Sequence, residues 1–181
     1  MGRLMQRQGY HATGLNQLLA ESGAPKGSLY FHFPAGKEQL ATEAIADSAQ
    51  RFRAAIEAAI GAAASPGDVA RLLTRAMAVG LERSAFQEGC PVATVALETS
   101  ATSEPIRSAC EAAFRSWEEV LAARFEEFGW PPDAAQSFAE VLLAALEGGL
   151  LLARTARDDS PLRTVGELMA RFADEESRRA R

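Results

Sequence analysis

Residues 9–37 read GYHATGLNQLLAESGAPKGSLYFHFPAGK, and they hold both lysines of a 181-residue chain, Lys26 and Lys37. Everywhere else positive charge is arginine. Thr13 suits a helix N-cap, because its hydroxyl can accept from an otherwise unpaired backbone N–H. Leu15, Leu18 and Leu19 follow at i, i+3 and i+4, one apolar stripe on a helix of about three turns. Gly23 can take the positive φ that ends this helix and turns the chain sharply. Pro25 fits the first turn of a second helix, where its missing N–H costs nothing. Leu29 and Phe33 point back at the leucine stripe, leaving Lys26, Gly27, Ser28, Tyr30 and His32 outside. Two short helices joined by a tight turn make a helix-turn-helix.

The outer face carries chemistry suited to nucleic acid. A helix N-terminus attracts phosphate through its free N–H groups and dipole. Gly27 removes a side chain where a sugar-phosphate backbone would approach. Lys26 can reach a guanine edge or a phosphate, and Ser28, Tyr30 and His32 can donate to phosphates or base edges. Lys37 opens the following helix. Taken alone, Ser28-Leu29-Tyr30-Phe31-His32-Phe33 reads equally as a packed aromatic helix.

Gly9-Tyr10, Ala12-Thr13 and Lys26-Gly27-Ser28-Leu29-Tyr30-Phe31-His32-Phe33 together resemble the N-terminal domain of the TetR/AcrR family of bacterial repressors. Phe33-Pro34-Ala35-Gly36-Lys37-Glu38 has an extra residue before the lysine, as in the LmrA/YxaF branch. Gly89-Cys90-Pro91-Val92-Ala93, with Ala96-Leu97-Glu98, resembles that branch's ligand-domain signature. The resemblance implies that the residues matching Thr13, Lys26, Gly27, Ser28, Tyr30, His32 and Lys37 face DNA. Phe31 stands where some relatives carry tyrosine. In that family a helix of several turns precedes the Gly-Tyr; here only Met1 to Gln8 do, with Leu4 and Met5 as apolar contacts. The expectation is a first helix that is short or truncated, with a native start upstream and weakened support for the head.

Composition bounds the remainder. The 37 alanines and the near absence of strand-like alternation predict an all-α chain. The domain expectation is a helix-turn-helix DNA-binding domain over 1–44 and a helical ligand-binding and dimerisation domain over 45–181. Residues 1–40 carry a net charge of +2 and the other 141 carry −7, which suits DNA at one end only. An ordinary solvated face could also show so small an excess. No apolar run approaches the roughly 18 residues of a membrane span, and no signal-peptide core begins the chain, so a soluble cytoplasmic protein is expected. The two cysteines, Cys90 and Cys110, form no disulfide framework, and the only histidines, His11 and His32, lie in the head. No metal site, cofactor or catalytic motif is expected.

The body reads as five to six helices. The first runs from Lys37 to about Ala64, with Ala41, Ile45, Ser48, Phe52, Ile56, Ala59 and Ile60 inward. Ser65-Pro66-Gly67 ends it and Asp68 caps the next, whose seam is Val69, Leu72, Leu73, Ala76, Met77, Gly80 and Leu81. A short helix from Pro91 to about Thr102 follows. A long one from Glu104-Pro105 presents Ile106, Cys110, Ala113, Trp117, Val120, Leu121, Phe125 and Phe128. Phe138 to Ala153 is apolar on nearly all sides and must be buried on more than one of them. Ala144, Ala145, Gly148 and Gly149 permit close approach, so a two-fold homodimer through the last two helices is expected, and the resemblance implies the same interface. A core helix of a monomer is the alternative.

The resemblance also implies a small-molecule effector among the middle helices, and that branch is associated with drugs and planar aromatic compounds. Candidate lining residues are Met77, Leu81, Phe86, Val95, Phe114, Trp117, Leu121 and Leu142, each of which reads also as plain core. Glu98 and Glu147 interrupt apolar stretches, so either could receive a cationic ligand or an arginine. Cys90 precedes Pro91 at a helix start, which suits either a redox sensor or a small buried thiol. The functional expectation is a ligand-responsive repressor released from a palindromic operator on double-stranded DNA. The alternatives are a redox-responsive regulator using Cys90, or a non-catalytic helical protein whose truncated head binds DNA poorly.

Overall fold

The computed structural model describes residues 1–179, without the side chain of Lys26. Among the described residues nine helices follow one another and no strand occurs: α1 (Gly2–Ala12), α2 (Leu15–Ser22), α3 (Lys26–His32), α4 (Gly36–Ile60), α5 (Pro66–Arg83), α6 (Ala93–Thr99), α7 (Glu104–Glu127), α8 (Pro132–Ala156) and α9 (Ser160–Arg179). This is the all-α architecture that the alanine-rich sequence dictates. Arg181, grouped with Arg178 and Arg179 in the charged tail, lies outside the described residues.

Local chemistry explains several helix ends. Gly23 (φ 67°) closes α2, its N–H donating to the Leu19 carbonyl. Three later helices end in paired six-to-one and five-to-two hydrogen bonds. Phe86 and Ala85 donate to Leu81 and Glu82 after α5, Trp130 and Gly129 to Phe125 and Glu126 after α7, and Asp158 and Arg157 to Ala153 and Arg154 after α8. At the start of α5 the cap is Ser65, not Asp68. Ser65 Oγ accepts from the Asp68 N–H and Asp68 Oδ2 accepts from the Ala64 N–H, both at 3.2 Å. The two side chains satisfy two open donors reciprocally, and Pro66 takes the first helical position. The helix start expected at Thr13 also falls elsewhere. α2 begins at Leu15 with Gly14 as its N-cap, while Thr13 donates its hydroxyl to the Gly9 carbonyl at 2.6 Å. A hydroxyl can donate as well as accept, and here the available partner is a carbonyl.

The chain divides into two compact units, Met1–Arg51 with Cys90–Phe114, and Phe52–Gly89 with Arg115–Arg181. This differs from a single cut at 44/45, because α6 and the start of α7 gather with the head. In the first unit Met5, Leu29, Ala41, Ile45, Val92, Val95, Ile106 and Cys110 are buried, and α1 packs on α6. Burial pushes the Cys110 thiol up to about 11.

In the second unit Ile56, Ile60, Val69, Leu73, Leu81, Trp117, Leu121, Phe125, Leu142, Leu146 and Leu162 form the core. Here α9 packs chiefly on α5 and then on α8. α5 turns Thr74 inward and leaves Ala76 and Gly80 exposed, unlike the expected seam. The Thr74 hydroxyl is satisfied by the Ala70 carbonyl at 2.9 Å. It lies so near Gly166 of α9 that a Cβ there would come within 2.3 Å. A polar residue therefore stands at a close α5–α9 approach.

α8 is long and apolar enough to cross a membrane by length and composition, contrary to the expectation that no run comes close. Its inner residues Phe138, Leu142, Leu146, Gly149 and Ala153 are buried, and it packs on α9 and α5, as a core helix does.

Candidate nucleic-acid interface

The head is built by α2, the Gly23 turn and α3. Leu29 is the buried residue through which α3 is held, at 7% exposure. The helical period then turns the neighbouring positions outward. Gly27 and His32 are exposed, Ser28 is half-buried, and Tyr30 and Phe31 are 54% and 81% exposed. Tyr30 also borders a groove of about 320 Å³ lined by Gly14, Leu15, Asn16, Leu19 and Leu29. Lys26 opens α3, but its side chain lies outside the described residues. A phenol, an imidazole and an exposed benzyl group on one short helix can offer hydrogen bonds to phosphates and base edges and apolar contact to a thymine methyl. Phe31, noted from sequence only for the hydroxyl it lacks, is the most exposed large apolar side chain of the head. Asn16 on α2 is exposed as well. Hydrophobic patterning could not single out either one.

Two of the expected DNA-facing residues sit differently. Thr13 is fully buried, and its hydroxyl is committed to the Gly9 carbonyl. Lys37 is half-buried at the first turn of α4. Its ammonium donates to the Tyr10 carbonyl at 2.7 Å and lies 4.2 Å from the centre of the Tyr10 ring, a cation–π contact. Burial lowers the Lys37 pKa, and the negative Glu98 acts in the opposite direction. Burial, with a smaller contribution from Glu38, raises the Tyr10 phenol.

α1 is interrupted at Gly9 (φ 81°, ψ 177°), a conformation that favours glycine. Immediately after the break the His11 N–H donates to Glu98 Oε2 of α6 at 2.9 Å. Glu98 thus meets a backbone donor, neither of the two partners envisaged from sequence. The Ser103 hydroxyl donates to Glu38 Oε1 at 2.6 Å and ties the turn after α6 to α4. Only Leu4 and Met5 were legible as supports for the first helix; Met5 is indeed buried, and α6 supplies the packing partner.

The eight residues suggested for an effector fall in both units. Val95 and Phe114 belong to the first; Met77, Leu81, Phe86, Trp117, Leu121 and Leu142 belong to the second. Leu81, Val95, Trp117, Leu121 and Leu142 are buried, whereas Met77, Phe86 and Phe114 are half-buried. Trp117 stacks obliquely against Phe52, with centroids 4.7 Å apart. Phe86 has a left-handed backbone (φ 60°), set by the turn that closes α5. Cys90 is buried and accepts from the Ala93 N–H at 3.3 Å. Glu147 is half-buried on α8.

On α8 and α9 an apolar face points outward. Val141, Leu151, Leu152, Leu168 and Phe172 are each at least half exposed. Between these helices a groove of about 370 Å³ is lined by Trp130, Phe138, Val141, Met169 and Phe172, among others. Of the four small residues noted on α8, Gly149 serves packing within the chain, since a Cβ there would meet Val165 at 3.1 Å. Ala144 and Gly148 are exposed.

A helix-turn-helix head followed by an all-helical body defines a class of DNA-binding transcriptional regulators. Residues 3–50 match the family model of bacterial regulatory proteins, tetR family. Residues 66–168 match that of the transcriptional regulator LmrA/YxaF-like, C-terminal domain. The chain belongs to the TetR family, in its LmrA/YxaF-like group, and is a transcriptional regulator, not an enzyme. It is 41% identical over 160 residues to the HTH-type transcriptional regulator LmrA of Bacillus subtilis, covering 88% of this chain and 85% of that protein. It is 39% identical over 165 residues to the HTH-type transcriptional regulator YxaF of the same organism, covering 91% and 86%. The crystal structure of regulatory protein TetR from Rhodobacter sphaeroides superposes with a TM-score of 0.83 at 25% identity, covering 94% of this chain and 93% of that one.

Proposed function

We propose that this regulator is a cytoplasmic repressor that binds a palindromic operator as a homodimer and is released by a small hydrophobic or aromatic effector. The observation that carries the DNA-binding part is α3, which follows the left-handed Gly23 turn and exposes Tyr30, Phe31 and His32. Lys26, Gly27, Ser28 and Lys37 complete the proposed contact set, with Lys37 offering whatever N–H groups Tyr10 leaves free. Thr13 acts in this set by holding the Gly9 carbonyl, because its hydroxyl is buried.

The exposed apolar face of α8 and α9 supports dimerisation, since a soluble chain gains by covering contiguous apolar surface. A two-fold dimer presents two copies of α3, which fit successive major grooves of a symmetric site near one helical turn, about 34–36 Å apart. α4 and α7 are unbroken helices that each contribute residues to both compact units. An effector bound in the helical body would change the spacing of the paired heads by displacing the near end of α4. Effector and DNA then oppose each other reciprocally.

Selection of binding sites from random duplex DNA tests this function. The expected result is an enriched sequence with two inverted half-sites about 10 base pairs apart, released when a planar aromatic compound quenches Trp117 fluorescence. No enrichment, or an enriched site without two-fold symmetry, would contradict operator binding by a dimer. A tightly bound compound that left operator affinity unchanged would contradict the ligand coupling.

A further inference from the structure

The two family matches assign α1 to the head and α6 to the C-terminal domain, yet both helices lie in one compact unit and pack on each other. They meet at Gly9. A Cβ added there would lie 1.7 Å from Glu98 Oε1, so the carboxylate rests directly against the glycine backbone. Beyond the break the chain starts a new turn whose amides have no helical acceptor before them. Glu98 Oε2 takes the His11 N–H at 2.9 Å, and Thr13 Oγ1 donates to the Gly9 carbonyl at 2.6 Å. The turn is therefore pinned at both ends, and Tyr10 sits between the pins.

Tyr10 in turn seats Lys37. Its carbonyl accepts one N–H of the ammonium at 2.7 Å and its ring lies beneath the charge. An ammonium has three donors, so two remain to meet phosphate oxygens. We propose that Glu98, a residue of α6, is a positioning residue for DNA recognition, fixing Lys37 through the His11 amide and Tyr10. The negative charge of Glu98 also acts on Lys37 directly, opposing the effect of burial on that amine. This inference rests on the proposed operator binding and adds a route to it. Any bound molecule that draws α6 away from Gly9 loosens the Lys37 seat without touching α3.

The test uses the full chain, the operator selected by the wild-type protein, and the variants Glu98→Ala and Glu98→Gln. Gln keeps an oxygen acceptor for the His11 N–H, whereas Ala removes it. Glu98→Ala is expected to weaken operator binding about tenfold, the size of one charge-assisted hydrogen bond. Glu98→Gln is expected to stay within about threefold of wild type. Amide exchange at His11 should accelerate in the Ala variant and stay slow in the Gln variant. Wild-type affinity for Glu98→Ala, or equal losses for both variants, overturns the proposal. If Glu98→Ala loses helix content, Glu98→Asp replaces it. That carboxylate is withdrawn by one methylene and should weaken binding more than Gln does; wild-type affinity there also overturns the proposal. A wild-type chain that selects no site defeats operator binding itself, a failure distinct from selection that is indifferent to Glu98.

Discussion

Gly9→Ala is expected to cost roughly 3 kcal/mol or more of folding stability and to abolish the Lys37 seat, by the sum of two effects. The first is backbone strain: at φ 81° and ψ 177° Gly9 occupies a region essentially restricted to glycine. The second is steric: the new methyl would overlap the Glu98 carboxylate at 1.7 Å, and displacing that group strands the His11 N–H. Swinging the flexible Glu98 side chain aside relieves the clash but gives up the His11 hydrogen bond, and the backbone strain remains. Gly80→Ala supplies the contrast. Gly80 is exposed inside α5, and a Cβ added there would meet nothing within 4 Å, so alanine should stabilise by about 0.5–1 kcal/mol. Urea unfolding of both variants, at one protein concentration, reads the opposite signs. A Gly9→Ala protein as stable as wild type would mean that the break in α1 is not as described.

Trp117→Ala should cost about 3–5 kcal/mol, as deletion of a large buried aromatic does. Trp117 has no exposed surface and packs on Phe52 at 4.7 Å, while Leu121 and Phe125 on the same helix are equally buried. Three inward positions of α7 at four-residue spacing leave little freedom to collapse into the space. In a chain of this size the loss corresponds to a fall of roughly 6–20 °C in unfolding temperature. Trp117→Phe, which keeps an aromatic ring against Phe52, should recover much of it. A loss below about 1 kcal/mol for Trp117→Ala would contradict its place in a packed core.

These two positions also show what the sequence could and could not reveal. Trp117 was legible because Ile106, Cys110, Ala113, Trp117, Leu121 and Phe125 recur at helical spacing, and all are buried. Gly23 was legible because a glycine between two helical patterns has a local reason to exist. The role of Gly9 was not, since its partner Glu98 lies 89 positions away and arrives only when α6 packs on α1. Thr13 was misassigned as a helix cap because the same hydroxyl can donate or accept, and the choice depends on tertiary neighbours. Thr74 was passed over because apolar periodicity ignores a hydroxyl satisfied by its own helix.

The candidate site was legible in outline. Tyr30 and His32 are exposed as their spacing from Leu29 requires. Phe31 was missed as a surface feature because an apolar residue in an aromatic run is ordinarily assigned to a core. Charge marked Lys37, but its seat on Tyr10 depends on a fold that brings residues 27 positions apart together. For α8, all-round apolarity was plain, and the structure separates the inner Leu142, Leu146 and Gly149 from the outer Val141, Leu151 and Leu152. That division is set by where α9 packs, which no local pattern states.

Under the proposed function, α3 is the helix that reads DNA sequence. The most direct measurement is the ratio of affinities for the selected operator and for a scrambled duplex at fixed salt, for wild type and for Lys26→Ala/Tyr30→Ala. Wild type should favour the operator by at least about a thousandfold. The double variant should lose roughly a hundredfold of that ratio, since each lost base-edge contact weakens discrimination by about 1–3 kcal/mol, while its dimer state and helix content stay unchanged. A ratio that survives both substitutions would contradict the assignment of α3 as the recognition helix.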